Sequence, residues 1–374
     1  IDIGGGSSDM ALIQKGKLFD TYSLNLGTVR LKELFFDKEM PLSEINNKAK
    51  AYIRNELEKL PKHFKHSLAI GIGGTARTLS KGIMKQCDHP LDKLHAFTYN
   101  VHTHKDYLEN IPLSSAKNLK KFGLQKNRYD TIREGTLIFN EILTYIGTRS
   151  VMTSSVGVRE GVFLEQLLRE DNLKFPSTIN PSIVSILDRF NPLDNIEKKK
   201  KSKLKMASKL YAKLQIDIQD EQRYESELLW AVKLSSIGKT LTIYKSHQHA
   251  FYIAMQELNY GFTHEQMLLT SLLLRMHGKE LLHKPLFQSF EPLLPEKQTV
   301  LWLSFIYTLT IFLHEASNSA HIEFSYQNKT LTITSDKPLY LAKEKIKALE
   351  KPLPFAIIIE DESRLPKNKE LGIL

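Results

Sequence analysis

Ile1-Asp2-Ile3-Gly4-Gly5-Gly6-Ser7-Ser8-Asp9-Met10 places a carboxylate at either end of three successive glycines. With no Cβ at Gly4, Gly5 or Gly6, the backbone can approach a phosphate closely and aim several N–H groups at it. Asp2 and Asp9, at the two ends of the turn, are placed to hold a hard cation against that phosphate. Taken alone, the segment also fits a glycine-rich hairpin turn.

Three further segments add weight. Gly71-Ile72-Gly73-Gly74-Thr75-Ala76-Arg77-Thr78 puts a second glycine turn between a buried strand and a helix N-terminus, where free N–H groups and the helix dipole favour an anion. Alone it fits a tight strand–helix turn. Beside Asp2–Asp9 it suggests two loops facing one phosphate-bearing ligand, with Gly73, Gly74, Thr75 and Arg77 as phosphate-binding candidates. The third segment is Asn127-Arg128-Tyr129-Asp130 with Glu134-Gly135, and the fourth is Ser155-Val156-Gly157-Val158-Arg159-Glu160-Gly161. Arg128 and Arg159 either grip phosphate oxygens bidentately or pair structurally with Asp130 and Glu160; the structural pairing is the simpler reading.

In this order and spacing the four segments resemble the exopolyphosphatase / guanosine pentaphosphate phosphatase (Ppx/GppA) family of the actin-like ATPase superfamily. The resemblance covers residues 1–165 well and the helical region to about 285 more loosely. It implies two ribonuclease-H-like halves around a cleft, with only the second half matched here. By the same resemblance Asp2 is the cleft aspartate that helps place Mg²⁺, and Gly4, Gly5, Gly6 and Ser7 are the phosphate-holding turn. Asp9 stands where the family usually has Glu. The water-activating glutamate and the other phosphate loop belong to the family's first half. A buried strand at the first residue, without an initiator Met, predicts a fragment lacking that half.

The helical region resembles the HD-type domain of long family members, but Ser235-Ser236-Ile237-Gly238 replaces the His-Asp or His-Glu pair. Serines are poor metal ligands, so a second metal site is not expected. His247, His249 and His277 are then hydrogen-bonding or anion-contacting groups.

These residues must be held by elements legible in the pattern. Strands are predicted over Ile1–Ile3, Met10–Gln14 and Leu18–Leu26, and helices over Thr28–Phe36 and from Pro41 to Leu60 with Ser43 as cap. A strand over Ser67–Ile72, a helix from about Ala76, a helix over Thr131–Ile146, a strand over Ser150–Ser155 and a helix over Gly157–Arg169 complete an α/β layer domain. Residues 171–181 read as linker. Residues 182–288 read as helical, the HD-like domain with its degenerate pair, and 289–374 as a small α+β domain. The lysine run Lys198–Lys205 reads as a solvated face.

The full sequence has 374 residues, 41% hydrophobic and 25% charged, which argues against general disorder. Its formal net charge of +10 favours a polyanionic partner. No nucleic-acid motif accompanies that charge, no run of membrane-span length is read, and the single cysteine, Cys87, suits a reducing cytoplasm.

The fold expected is thus an α/β ribonuclease-H-like half-domain, an all-α HD-like domain and a small C-terminal α/β domain. The expected activity is Mg²⁺-dependent release of terminal phosphate from polyphosphate, from guanosine pentaphosphate to give the tetraphosphate, or from both. A homodimer is implied by the resemblance, with neither nucleic acid nor membrane as partner. Two alternatives stay open, a non-catalytic polyphosphate- or nucleotide-binding module and an actin-fold kinase or ATPase.

Overall fold

Alternation of apolar and polar residues over Ser8–Gln14 gives one strand face to bury and one to leave in water. In a computed structural model that describes residues 1–36, 40–176, 179–190, 197–218, 220–276, 281–316 and 320–361, this segment pairs on both sides. β1 (Asp2–Ile3), β2 (Ser8–Gln14) and β3 (Lys17–Leu24) form an antiparallel meander. Ser8, Met10 and Leu12 turn inward, and Asp9, Ala11 and Ile13 face out. β4 (Leu68–Gly71) runs parallel to β6 (Ser150–Thr153), whose other edge takes β5 (Thr98–Asn100) antiparallel. An isolated parallel bridge between Asp2 and Ile72 joins the two sheets, the Ile72 N–H donating to the Ile1 carbonyl at 2.9 Å. The strand order is therefore 3-2-1-4-6-5.

Helices α1 (Thr28–Leu31, followed by a π-helical turn over Lys32–Phe36), α2 (Leu42–Leu57), α3 (Gly73–Gln86), α4 (Lys105–Asn110), α5 (Ile132–Ile146) and α6 (Val158–Leu167) accompany these strands. α5 supplies the central wall of the core: Leu137, Ile138, Phe139, Ile142 and Leu143 are all buried in one cluster with Leu57, Leu79, Ile83 and Val151. Each such side chain contributes roughly 1.5–3 kcal/mol relative to exposure. The nearly buried Glu141 on α5 is neutralised from α2, where Arg54 Nε donates to its Oε2 at 2.8 Å.

Two local expectations need correction. α3 begins at Gly73 rather than near Ala76, because Gly73 takes φ +79° and turns the chain into the helix at once. Ser43 does not cap α2; Pro41 occupies that position, with no side-chain cap, and the helix begins at Leu42.

Residues Ile1–Pro176 and Ser177–Leu374 form two compact units. In the second, α7 (Pro181–Arg189) starts from Asn180, whose side chain accepts the Ile183 N–H at 3.1 Å. Then come α8 (Glu197–Leu214), α9 (Glu225–Leu234), α10 (Ser246–Glu257), α11 (His264–Arg275), α12 (Lys284–Phe290) and α13 (Lys297–Ala316). Among the described residues α13 is long and apolar enough to cross a membrane by length and composition, which corrects the expectation that no run reaches that length. Its Trp302, Leu303, Phe305, Ile306 and Leu309 are fully buried within this unit, so its hydropathy reflects a core position. β7 (Ile322–Gln327) and β8 (Thr330–Ser335) form an antiparallel hairpin. α14 (Tyr340–Lys347) then crosses to β9 (Ala356–Asp361), which pairs parallel to β8. The expected boundary at 288/289 runs through this one unit.

Candidate phosphate site

β1, β4 and β6 run parallel, so their carboxyl ends, and the loops that follow them, meet at one end of the sheet. In open α/β sheets ligands bind at that end. The loops there are Gly4–Ser7, Ile72–Thr75 and Ser154–Gly157, three of the four segments singled out by sequence.

In the first loop the Gly4 N–H donates to the Ser7 carbonyl at 2.9 Å, so Gly4 shapes the turn instead of offering a donor. Among the described residues the N–H groups of Gly5, Gly6 and Ser7 meet no protein acceptor. The loop's carbonyls are tied down from behind. Thr28 N–H donates to Gly4 O at 3.0 Å, Val29 N–H to Gly5 O at 3.0 Å, and Arg30 Nε to Gly6 O at 3.1 Å. With carbonyls drawn back and amides forward, the loop is polarised for an anion. Gly27 makes this contact possible, since a Cβ there would lie 2.2 Å from Gly5 O. Gly27, Thr28 and Arg30 are supporting residues that sequence reasoning missed. The approach of Gly27 to Gly5 is a tertiary contact, which local sequence does not signal.

The second loop opens α3. The first N–H groups of a helix lack intrahelical partners, and no side chain caps this one, so Gly73, Gly74 and Thr75 present an anion-binding terminus. Arg128 lies directly over it: its Nη1 is 3.0 Å from where a Gly74 Cβ would stand. Arg128 is exposed and, among the described residues, makes no ion pair, so the expected pairing with Asp130 is not what holds it.

Asp2 connects the two loops. It is the register partner of Asp9 across β1–β2, and Asp9 is in turn the partner of Ser23 on β3. The two carboxylates therefore share the sheet face opposite Ile3 and Ser8. Like charges directly opposite on neighbouring strands destabilise a sheet, so this pair calls for a cation or an equivalent donor. Ser23 Oγ answers part of the demand, donating to Asp9 Oδ1 at 2.6 Å. Asp2 reaches toward α3 instead, with its Oδ1 2.2 Å from the place of a Gly73 Cβ. Among the described residues no three acidic, histidine or cysteine side chains cluster as a complete metal cage. Two hard carboxylates beside a phosphate cradle nevertheless suit Mg²⁺, which keeps most of its waters and takes one or two carboxylates plus phosphate oxygens.

In the third loop Arg77 has a different role from the one expected. Its Nε donates to Ser154 O at 3.1 Å and its Nη2 to Val156 O at 3.2 Å, so it anchors the β6–α6 loop to α3. At the start of α6, Glu160 Oε2 accepts the Gly157 N–H at 2.8 Å. That hydrogen bond, with smaller help from the Glu160 N–H, Arg159 and Arg77, holds the Glu160 carboxyl below its ordinary range. The expected Arg159–Glu160 ion pair is replaced by this capping contact. Arg159 is exposed beside it and makes no ion pair among the described residues.

Of the histidines, His247 and His249 lie on α10 in the second unit, and His277 lies outside the described residues.

A profile of the Ppx/GppA phosphatase family matches residues 1–170, and one of Ppx/GppA phosphatase domain III matches residues 193–351. A bifunctional 3-dehydroquinate synthase/phosphatase of Fusobacterium nucleatum is 34% identical over 171 residues, 44% of this chain and 25% of that protein. Among solved structures, an Aquifex aeolicus member of the Ppx/GppA family is 26% identical over 46% of this chain and 56% of its own, with TM-score 0.39. An exopolyphosphatase from Cytophaga hutchinsonii is 20% identical, with the same two coverages and TM-score 0.40. The match thus spans a quarter of the curated relative's length and just over half of each of these solved chains.

Proposed function

We propose that this chain, which belongs to the Ppx/GppA phosphatase family, holds the terminal phosphates of a phosphoanhydride during Mg²⁺-dependent hydrolysis. The substrate is inorganic polyphosphate, guanosine pentaphosphate, or both. The observation that carries this reading is the pair of donor-rich loops at the ends of adjacent parallel strands, with Asp2 between them and Arg128 over one. Strand order 3-2-1-4-6-5 is consistent with one ribonuclease-H-like half of an actin-like fold.

Phosphoryl transfer asks mainly for positioning and charge neutralisation. Gly5, Gly6 and Ser7 would donate to one set of phosphate oxygens, and Gly73, Gly74 and Thr75 to another, with the Arg128 and Arg159 guanidinium groups adding positive charge. Asp2 and Asp9 would hold Mg²⁺, directly or through its waters. When bound, the ion offsets charge developing on the phosphate oxygens. Arg77 contributes by fixing the third loop. On this reading the water-activating glutamate comes from the other half of the cleft, as the family resemblance implies, and no residue of this chain is assigned that role. A homodimer is part of the same proposal.

The test is phosphate release in Mg²⁺ from long-chain polyphosphate and, separately, from guanosine pentaphosphate, by this chain alone and joined to a first half from the family. Release that Asp2→Ala abolishes is the expected result. Silence with the added half present moves the reading to a phosphate-binding regulatory module.

A further inference from the structure

Where α12 leads into α13, the segment Pro292-Leu293-Leu294-Pro295 closes one side of a half-open cavity of about 390 Å³. The starts of α9 and α11 form the rest of its wall, so the space lies wholly within the second unit. That volume falls in the ordinary range for a small organic ligand.

The decisive group is Glu227, in the first turn of α9. It is only 3% exposed, yet it stands in the cavity wall, and its Oε2 is buried with no hydrogen-bond partner. A carboxylate buried in this way is costly unless a donor or a cation meets it. Its polar neighbours are already committed. Gln266 reaches it with its side-chain amide, but Gln266 Oε1 accepts the Thr263 N–H at 3.2 Å, so only the amide nitrogen is left to donate. The Tyr224 hydroxyl bonds to Asp220. Among the described residues no lysine or arginine lines the cavity. Burial accordingly holds the Glu227 carboxyl above its ordinary range.

Charge and surface together select the ligand class. In a chain of formal net charge +10, this wall carries two carboxylates, Glu227 within and the exposed Glu265 on α11. An anion is repelled there. A bare divalent ion needs several oxygens, and among the described residues no three metal-ligating side chains cluster. Leu269 on α11 and the leucines and prolines of residues 292–295 add apolar surface suited to a hydrocarbon stem. An ammonium supplies both the donors and the charge that Glu227 Oε2 lacks.

We infer that this cavity binds a small aliphatic diamine, with one ammonium on Glu227, the other at Glu265, and the hydrocarbon chain against Leu269 and residues 292–295. The site is built from second-unit residues alone and does not depend on the glycine loops of the first unit.

The test is isothermal titration calorimetry of the full chain with diaminobutane, butylamine and butanediol, with MgCl₂ as competing inorganic cation at matched ionic strength. The expected result is saturable binding of diaminobutane and none of butanediol. Glu227→Gln, which keeps the shape of the side chain and removes its charge, should weaken the diamine about tenfold or more. Glu265→Gln should weaken it about two- to fivefold, down to the level of butylamine, as an exposed ion pair requires. Because Glu265 is exposed, that variant folds as the parent does and keeps the test decisive if Glu227→Gln fails to fold. Asp2→Asn, in the first unit, should leave the binding unchanged. No saturable heat from diaminobutane, or equal affinity in the parent and Glu227→Gln, overturns the proposal. Equal affinity for diaminobutane and butylamine in the parent overturns the role of Glu265. Butanediol binding as tightly as the diamine, or full displacement by MgCl₂, overturns the assignment to an organic cation.

Discussion

At the scale of single residues, the first unit joins two carboxylates that repel with two backbone loops that lack acceptors, and Gly73 is where they meet. It needs a positive φ and also room for the Asp2 carboxylate. Gly73→Ala should therefore lower stability by at least the ~1–2 kcal/mol of a left-handed alanine. A urea midpoint unchanged from the parent would contradict the close approach of Asp2 to α3. In the second unit, Glu227 on α9 is buried, and burial raises its carboxyl pKa, with only partial offset from its own N–H and from Gln266. A raised carboxyl favours the folded state while protonated. That contribution is complete below the ordinary value of 4.5 and is lost as pH rises through the raised one. Glu227→Gln should therefore be more stable than the parent at about pH 8 and level with it at about pH 4. Denaturation midpoints at the two pH values check this, and an equal offset at both would contradict it.

At the scale of elements, the loops at the carboxyl ends of β1, β4 and β6 are held by helices behind them. Arg77 is the clearest support, bridging α3 to the carbonyls of Ser154 and Val156. Arg77→Met should cost about 1.5–3 kcal/mol, the range for hydrogen bonds to a charged group. It should also speed hydrogen exchange at residues 155–157, and unchanged exchange there would show that the loop stands without it. The glycine turns, the strands before them and the long apolar helices were legible because period and turn chemistry are local signals. Local sequence could not show where arginine side chains end. Arg77 and Arg128 both stand near glycine turns, yet one is spent on carbonyls and the other lies over a helix terminus. Nor could it show that Gly27 packs on Gly5, or that Lys203, half-buried within a run of lysines, donates to Ser235 Oγ at 2.7 Å, since both depend on elements distant in the chain.

At the scale of the whole molecule, each of the two units has its own core, built around α5 in the first and α13 in the second. Trp302→Ala in α13 should cost about 3–5 kcal/mol in the second unit, while the Gly5 and Gly6 amide resonances keep their positions. Displaced resonances would show that the glycine loop depends on the core of the second unit. The function proposed for the first unit is that its glycine loops and Asp2 hold a phosphate chain with Mg²⁺. The most direct measurement is binding of tripolyphosphate to ¹⁵N-glycine-labelled protein, read at the Gly5, Gly6, Gly73 and Gly74 amides, with and without Mg²⁺. Both loops should shift together, Mg²⁺ should tighten the binding about tenfold or more, and Asp2→Asn should remove the Mg²⁺ effect. Shifts confined to one loop, or binding indifferent to Mg²⁺ and to Asp2→Asn, would contradict it.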